Sequence, residues 1–262
     1  MLRTTTVGSS YHRVSYLAVI ALLAVGCSRG AAPGPAPPAP VDVSLDRLAD
    51  AIDLVNDGRA TVLERVGVVI LGLERRDALD ALAAVGDSSG ARQLDEPADA
   101  AFARSAPAVN DVGIAVEAFQ KGLDDLATAA LTRELDTSQR RFLGTVVAEG
   151  RREISVTRSL ANAVRVALPV YGELGAQIDE WLRRARAGWY RSQTEAANAY
   201  AVLVGGVRSR LDAAQTAVTT ADGARVAAVT RTTTAINIAR RSLSPLTTRP
   251  TEVAVTPTGL AG

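Results

Sequence analysis

Apolar side chains recur at alternating steps of three and four residues between Leu45 and Leu73. This spacing puts them on one face of an α-helix and is typical of packed bundles and coiled coils. Arg59 occupies the one position in the stripe where an apolar residue is missing. The pattern predicts a first long helix, which Asp42 or Ser44 can cap. The apolar positions of this stripe are Leu45, Leu48, Ile52, Val55, Val62, Val66, Val69 and Leu73.

A second stripe follows a region rich in turn-forming residues. Gly, Asp and Ser fill residues 86–90, and Pro97 and Pro107 come after them. This composition predicts a long connection that holds one short helix at residues 98–104. Beyond it the spacing of three and four returns and predicts a second long helix. Its apolar positions are Val109, Val112, Val116, Phe119, Leu123, Leu126 and Ala130.

A third helix is predicted after Asp136. This residue, with Gln139 three positions later, is the kind of pair that forms a capping box at a helix N-terminus. Apolar positions spaced for a helix then run from Leu143 to Leu168. Pro169 is expected to kink or end this helix, because proline lacks the amide hydrogen and clashes with the preceding turn.

The remaining helical pattern covers residues 171–218 and resumes over residues 229–243. Between them, the turn-forming residues 219–223 predict a break before a last helix. Gly205 and Gly206 indicate either a close contact between helices or another break.

These elements predict an all-α fold, in which four or five helices pack antiparallel as an elongated bundle with coiled-coil-like seams over residues 44–243. Residues 28–40 are rich in Pro and Ala and predict an extended spacer. Residues 244–262 combine Thr, Pro and Gly without helical spacing and predict a disordered tail. Only 4% of the chain is aromatic, so we expect a thin core rather than a deep ligand pocket.

The N-terminal segment has the organisation of an export signal. Residues 1–13 are polar and weakly cationic, and residues 14–25 are mainly apolar. A run of about twelve apolar residues is typical of a signal-peptide core, whereas a helix needs about 20 to cross a bilayer. A permanent transmembrane helix is therefore the less favoured interpretation.

The apolar run ends in Leu23-Ala-Val-Gly-Cys27, where small residues precede the only cysteine of the chain. This segment, and no other part of the chain, resembles the lipobox of bacterial lipoproteins, with Ala24 where the commonest lipobox has leucine. The resemblance implies that residues 1–26 are a signal peptide removed after Gly26. It also implies that the Cys27 sulfur receives a diacylglyceryl group and that the new amine is a further acylation site, for a fatty acid such as palmitate. Two or three acyl chains anchor a protein stably, where one chain is marginal.

The same resemblance makes residues 27–43 the acylated cysteine and its linker. The protein is then expected outside the cytoplasm, lipid-anchored to the bacterial cell membrane or to the outer membrane. In bacteria with two membranes, an aspartate after the acylated cysteine commonly retains a lipoprotein at the inner membrane, so Ser28 permits transfer to the outer one. The alternative is an ordinary signal peptide with a chance cysteine.

Composition narrows the chemistry of the body. His12 and Met1 are the only histidine and methionine, and both precede Cys27. Once the signal peptide is removed, the composition excludes Ser-His-Asp and Cys-His catalysis, histidine- or thiolate-bound metals and internal disulfides. We therefore expect no cofactor and no metal site. The formal net charge of +1 is too balanced for a nucleic-acid-binding protein.

Carboxylates are the remaining acid/base groups. Asp124 and Asp125, with Glu117 and Glu134 on nearby turns, could bind a hard cation or act as an acid/base pair. The favoured alternative is a solvated helix face, because neighbouring residues point about 100° apart on a helix. No catalytic residue is predicted.

The densest basic and aromatic cluster lies between the third helical stripe and its continuation. Arginine beside tryptophan or tyrosine can engage anionic headgroups, cell-wall polymers or the carboxylates of a partner. The alternative, which charge runs on helices favour, is that Trp181 and Trp189 pack in the core while the arginines are solvated and paired with acids. The expected pairs, four residues apart on a helix, are Asp179 with Arg183 and Glu180 with Arg184. The candidate interaction patch consists of Arg183, Arg184, Arg186, Trp189, Tyr190 and Arg191.

Three functions remain open on this basis. The favoured one is a non-enzymatic envelope lipoprotein that offers its bundle for interaction or scaffolding, with the membrane and a protein partner or a second copy as its partners. The second is a module that binds or senses a small ligand between the helices. The third, least favoured, is a carboxylate-dependent cell-wall hydrolase, which requires two acids about 5–10 Å apart across an open cleft.

Overall fold

Four α-helices make up most of the residues that the structure, a computed structural model, describes, namely residues 43–131 and 135–243. No strand occurs within these residues. The predicted all-α fold is therefore confirmed. The signal peptide, Cys27 with its linker, and the tail at residues 244–262 lie outside the described residues. The helices are α1 (Val43–Ala84), α2 (Ser88–Leu131), α3 (Thr137–Arg186) and α4 (Gln193–Leu243).

Each helix runs antiparallel to the one that follows it, so the chain forms an up-down-up-down four-helix bundle. Residues late in one helix contact residues early in the next, and α1 packs most extensively against α2, as α3 does against α4. The pairs that set these directions are Gly58–Phe119 and Gly72–Ala101 between α1 and α2, Asp124–Arg151 and Asp95–Arg186 between α2 and α3, and Glu173–Arg210 and Glu149–Arg231 between α3 and α4.

This order brings the α1–α2 turn and the α3–α4 turn to the same end of the bundle. We call this end the tip and define it by residues 85–87 and 187–192. The first turn presses on the start of α4, because a Cβ atom built on Gly86 would lie 2.1 Å from the carbonyl oxygen of Gln193. Helix α1 begins, and α4 ends, at the end of the bundle away from the tip.

The predicted apolar positions form the core. The stripe of α1 is buried at every position from Leu48 to Leu73, and Arg59 is buried with it. Alanine and valine account for many of the other buried residues. Small side chains let the helices approach closely, and a few aromatic rings fill the wider parts of the interior. The largest fully buried side chains are Trp181, Tyr171, Tyr200 and Phe119.

Both prolines that suggested a long connection lie inside α2. The expected connection with one short helix at residues 98–104 is wrong, because α2 runs without a break from Ser88. Pro97 and Pro107 lie on the exposed face, so the carbonyl groups that they leave without helical hydrogen bonds can bind water. Each proline costs about 3 kcal/mol in a helix interior. Burial of the opposite face of α2, which includes Ala98, outweighs that cost.

The break between the last two helices also differs from the prediction. Helix α4 is continuous through residues 219–223. The chain instead turns at the tip, where the apolar spacing had predicted no break. Gly188 there has a φ of 72°. Its N–H donates to the carbonyl of Ala185, and the N–H of Trp189 donates to the carbonyl of Arg184. These two bonds form the Schellman motif, which ends helices at a left-handed glycine.

The other positions where a break was expected, Pro169 and Gly205-Gly206, are also helical. Pro169 lies on the exposed face of α3, which continues to Arg186, so the expected end of the helix at Pro169 is wrong. A Cβ atom built on Gly205, Gly206 or Gly223 would meet no atom within 4 Å. The adjacent glycines therefore mark neither a close contact nor a break. An exposed glycine costs about 1 kcal/mol relative to alanine, which is too little to end a helix whose other face is buried.

The capping box predicted at the start of α3 is confirmed. The Asp136 carboxylate accepts a hydrogen bond from the backbone N–H of Gln139 at 2.8 Å, and the Gln139 side chain accepts one from the backbone N–H of Asp136 at 3.1 Å. Hydrogen bonds from the Ser138 hydroxyl and from the Gln139 N–H lower the pKa of Asp136.

Alanine is expected to destabilise the protein more at Gly86 than at Gly188. Both glycines have a positive φ, 76° and 72°, so alanine at either costs about 1–2 kcal/mol for its left-handed backbone. At Gly86 the added methyl group would also lie 2.1 Å from the carbonyl oxygen of Gln193, whereas at Gly188 it would meet no atom within 4 Å. Thermal denaturation should therefore show a larger fall in Tm for Gly86→Ala. Equal falls would contradict the close contact at the tip.

Candidate functional site

The six residues of the predicted interaction patch lie together, at the tip and in the last turn of α3 beside it. Three arginines occupy the last turn of α3, where positive charge is favourable beside the C-terminal carbonyl groups of a helix. The other three residues belong to the turn that leads to α4. The patch, defined in sequence as Arg183, Arg184, Arg186, Trp189, Tyr190 and Arg191, is thus one structural feature.

The two tryptophans near the tip have opposite environments. Trp181 is fully buried, with 0% exposure, whereas Trp189 is 58% exposed. The guanidinium carbon of Arg184 lies 5.3 Å from the centre of the Trp189 ring, which is within range of a cation–π interaction. The interpretation that both tryptophans pack in the core is therefore confirmed for Trp181 and wrong for Trp189.

An aromatic stack beneath the turn fixes its position. Tyr190 stacks on Trp181 with their ring centroids 6.3 Å apart, and Trp181 meets the ring of Tyr200 edge-on at 5.6 Å. The Trp181 Nε1–H donates to the carbonyl oxygen of Ala196 at 2.9 Å, which ties the stack to α4. The Tyr190 hydroxyl is buried without a hydrogen-bond partner among the described residues, and desolvation raises its pKa.

Glu180 binds two arginines of the patch. Its carboxylate accepts hydrogen bonds from Arg183 and from Arg184, each at 2.6 Å, and these bonds lower its pKa. The expected pairing of Glu180 with Arg184 is confirmed. The expected pairing of Asp179 with Arg183 is wrong, because Arg183 turns to Glu180 instead. One carboxylate is therefore shared by two guanidinium groups, while the third arginine of this turn, Arg186, pairs with Asp95 of α2.

Asp179 instead lies with Asp95 and Asp99, and carboxylate oxygens of the three are within 4.8 Å of one another. Arg76 reaches Asp99 at 2.7 Å, and Arg186 reaches Asp95 at 3.2 Å. Burial, together with mutual repulsion, raises the pKa of Asp95 and of Asp179. Two guanidinium groups among three carboxylates make this an ion network that links α1, α2 and α3. The sequence could not reveal it, because its members come from three separate helices.

The carboxylates considered for metal binding or acid/base catalysis do not converge. Asp124 pairs with an arginine of α3 at 2.8 Å, and Asp125 pairs with a lysine of its own helix at 2.7 Å. Glu117 is exposed, and Glu134 lies outside the described residues. The first three therefore belong to a charged helix surface, as the favoured interpretation has it.

Charged side chains also lie inside the bundle. Arg59 and Glu153 are 4% and 1% exposed, and the Nε of Arg59 donates to both carboxylate oxygens of Glu153, at 2.9 and 2.8 Å. The Arg59 Nη2 also donates to the carbonyl oxygen of Val229 at 2.6 Å and to the hydroxyl of Thr233 at 2.7 Å. The missing apolar position of the α1 stripe is therefore filled by a buried charge, whose partners come from α3 and α4.

A second polar group joins α1 to α3 and α4 nearer the tip. Asp80 accepts hydrogen bonds from the Tyr200 hydroxyl and from both terminal nitrogens of Arg208. Asp77 accepts one from the Tyr171 hydroxyl at 2.9 Å. Desolvation raises the pKa of Asp77 and of both tyrosines. These groups bind one another across the helices, which indicates a structural role.

Among the described residues, the interior void between α1, α2 and α3 offers little room to a small ligand. A void lined by Val66, Val109 and Leu160, among other apolar residues of α1, α2 and α3, has a volume of about 10 Å³. A single water needs about that much space, so the void does not fit an organic molecule. This packing counts against the hypothesis of a ligand held between the helices.

No protein-family model, curated protein or solved structure matches this chain. Among the described residues, no helix combines the length and the apolar character needed to cross a membrane.

Proposed function

We propose that this chain is a non-enzymatic lipoprotein of the bacterial envelope, which is held to a membrane by acylated Cys27 and offers its helical bundle to a protein partner. The N-terminal sequence supports the anchor, through its apolar run and the single cysteine after Gly26. The observation that supports an interaction role is the exposed ring of Trp189 on the turn at the tip.

The direction of the helices supports the same function. Helix α1 begins at Val43 and has 42 residues, and at 1.5 Å per residue it spans about 63 Å. An anchor at Cys27 joins the bundle at the end where α1 begins, and the tip is the opposite end. The residues of the patch are therefore far along the bundle from the point of attachment.

The anchor is tested by replacing its cysteine. In the native host, the wild-type chain is expected in the membrane fraction, with residues 1–26 removed and the mass of acyl chains added. Cys27→Ser is expected to lack the acyl mass and to leave the membrane fraction. Intact-mass analysis and fractionation measure both effects.

A matched control moves the thiol away from the apolar run. The double variant Cys27→Ser with Ser155→Cys keeps one cysteine but places it on the exposed face of α3, and it should behave like Cys27→Ser. A wild-type chain with a free thiol at Cys27, or with residues 1–26 retained, would contradict the proposal.

A further inference from the structure

We infer that the tip is a docking surface for an acidic, partly apolar segment of a partner protein, with Trp189 as its apolar anchor and Arg184 and Arg191 as its carboxylate-binding groups. The inference deepens the proposed interaction role and rests on it. It does not depend on the lipid anchor.

The side chain of Trp189 is exposed to solvent. The other aromatic side chains in the described part of the chain are buried or half-buried, and Trp189 alone among them is exposed. Trp and Arg are the residue types most enriched where binding energy concentrates in protein interfaces. An exposed indole with a guanidinium over one face matches that composition.

The turn that carries the ring is held in place before any partner binds. Two Schellman hydrogen bonds close the end of α3, and Tyr190 is stacked on the buried Trp181. On the α4 side, the Glu195 carboxylate accepts the backbone N–H of Arg191 at 2.8 Å, and the Ser192 hydroxyl accepts the backbone N–H of Glu195 at 3.1 Å. A surface ordered in advance loses less conformational entropy on binding.

The charged groups of the turn indicate the chemistry of the partner. Between Glu180 and Glu195 the chain has four arginines and two glutamates, and one of these arginines, Arg186, is paired with Asp95 of α2. Glu180 forms ion pairs with Arg183 and Arg184. Glu195 accepts a hydrogen bond from the backbone N–H of Arg191 and does not bind its guanidinium group. In the described part of the chain, no acceptor binds the Arg191 guanidinium group. Carboxylates of a partner can therefore bind here without displacing an existing ion pair.

A second copy of this chain fits the surface less well. Two tips in contact would place the Arg191 guanidinium group of each copy in one interface, and like charges brought close together across an interface are unfavourable. An acidic segment with apolar side chains satisfies both parts of the surface, because it covers the indole and pairs the arginines.

The test uses the full mature chain in detergent and a fluorescent synthetic peptide of alternating Glu and Leu. Fluorescence anisotropy should show saturable binding that weakens as salt is added, since exposed charge pairs are screened. Trp189→Ala should raise Kd by about tenfold or more, as loss of a central anchor does. Arg191→Glu should raise it at least as much, because it replaces an attraction by a repulsion.

Arg141→Glu is the matched control, because Arg141 is an exposed arginine near the start of α3, far from the tip. This variant should bind the peptide like wild type. Circular dichroism should show that all three variants keep the helical content of the wild type.

Three outcomes would overturn the inference: no saturable binding to the peptide, equal weakening by Arg141→Glu, or binding to phosphatidylglycerol vesicles without binding to the peptide. The last would make the tip a lipid-binding surface. An unacylated Cys27 in the native host would contradict the proposed anchor while leaving the peptide result unchanged, so the two failures can be told apart.

Discussion

Glu153→Ala is expected to lower the free energy of unfolding by about 3–5 kcal/mol, because it leaves a buried charge without its partner. The Arg59 side chain is 5% exposed in its ion pair with Glu153. Without the carboxylate, the guanidinium group keeps two hydrogen bonds to α4 but loses its counter-charge. Chemical denaturation followed by circular dichroism measures the change.

The double variant Arg59→Met with Glu153→Leu is the control for this effect. It removes both charges and keeps similar side-chain volumes, and replacing a buried ion pair in this way is often neutral or stabilising. The double variant should therefore be more stable than Glu153→Ala alone. If both variants lose the same stability, the cost comes from packing and not from the unpaired charge.

Trp181→Ala is expected to cost a similar amount, about 3–5 kcal/mol, because it opens a large cavity in the core. The Trp181 side chain is fully buried and contacts the rings of Tyr190 and Tyr200. Its loss also removes the hydrogen bond to the carbonyl of Ala196. Denaturation curves should show a lower midpoint, and the turn at the tip should exchange its amide hydrogens faster.

Trp189→Ala makes the same chemical change at the exposed position. Its cost should stay within about 1 kcal/mol, which covers a surface substitution and the lost cation–π contact with Arg184. If the two alanine variants are equally destabilised, Trp189 carries a structural role and its value as a free anchor is contradicted.

The core could be predicted because the buried residues of a helix recur every three or four positions, and this spacing is visible in the sequence. The α1 stripe from Leu48 to Leu73 is buried throughout, and Asp136 with Gln139 forms the predicted capping box. Both features depend on residues within a few positions of one another. Local spacing is therefore enough to identify them.

The helix ends were harder to predict, because the residues that break helices act only where packing allows. Pro97 and Pro107 face solvent, so burial of the opposite face of α2 outweighs their local cost. Gly188 ends α3, whereas Gly223 does not end α4. The difference is that Gly188 adopts a positive φ and closes a Schellman motif, which composition does not encode.

The candidate site was located by composition but not resolved by it. The density of arginine and aromatic residues identified this segment as the candidate, and the structure gathers that segment at the tip. Trp181 is buried and Trp189 is exposed because α3 ends between them. Because the stripe ran through that end, the sequence alone could not separate the buried ring from the exposed one.

The order of the helices also bears on the route by which the chain folds. Helices pack mainly against their neighbours in sequence, and contacts of this local kind favour rapid formation of the α1–α2 and α3–α4 hairpins. The Arg59 network joins residues that are 94 to 174 positions apart, so it can close only when the two hairpins meet. If they meet in the wrong register, this guanidinium group is buried without its carboxylate, and that penalty rejects the misaligned pairing.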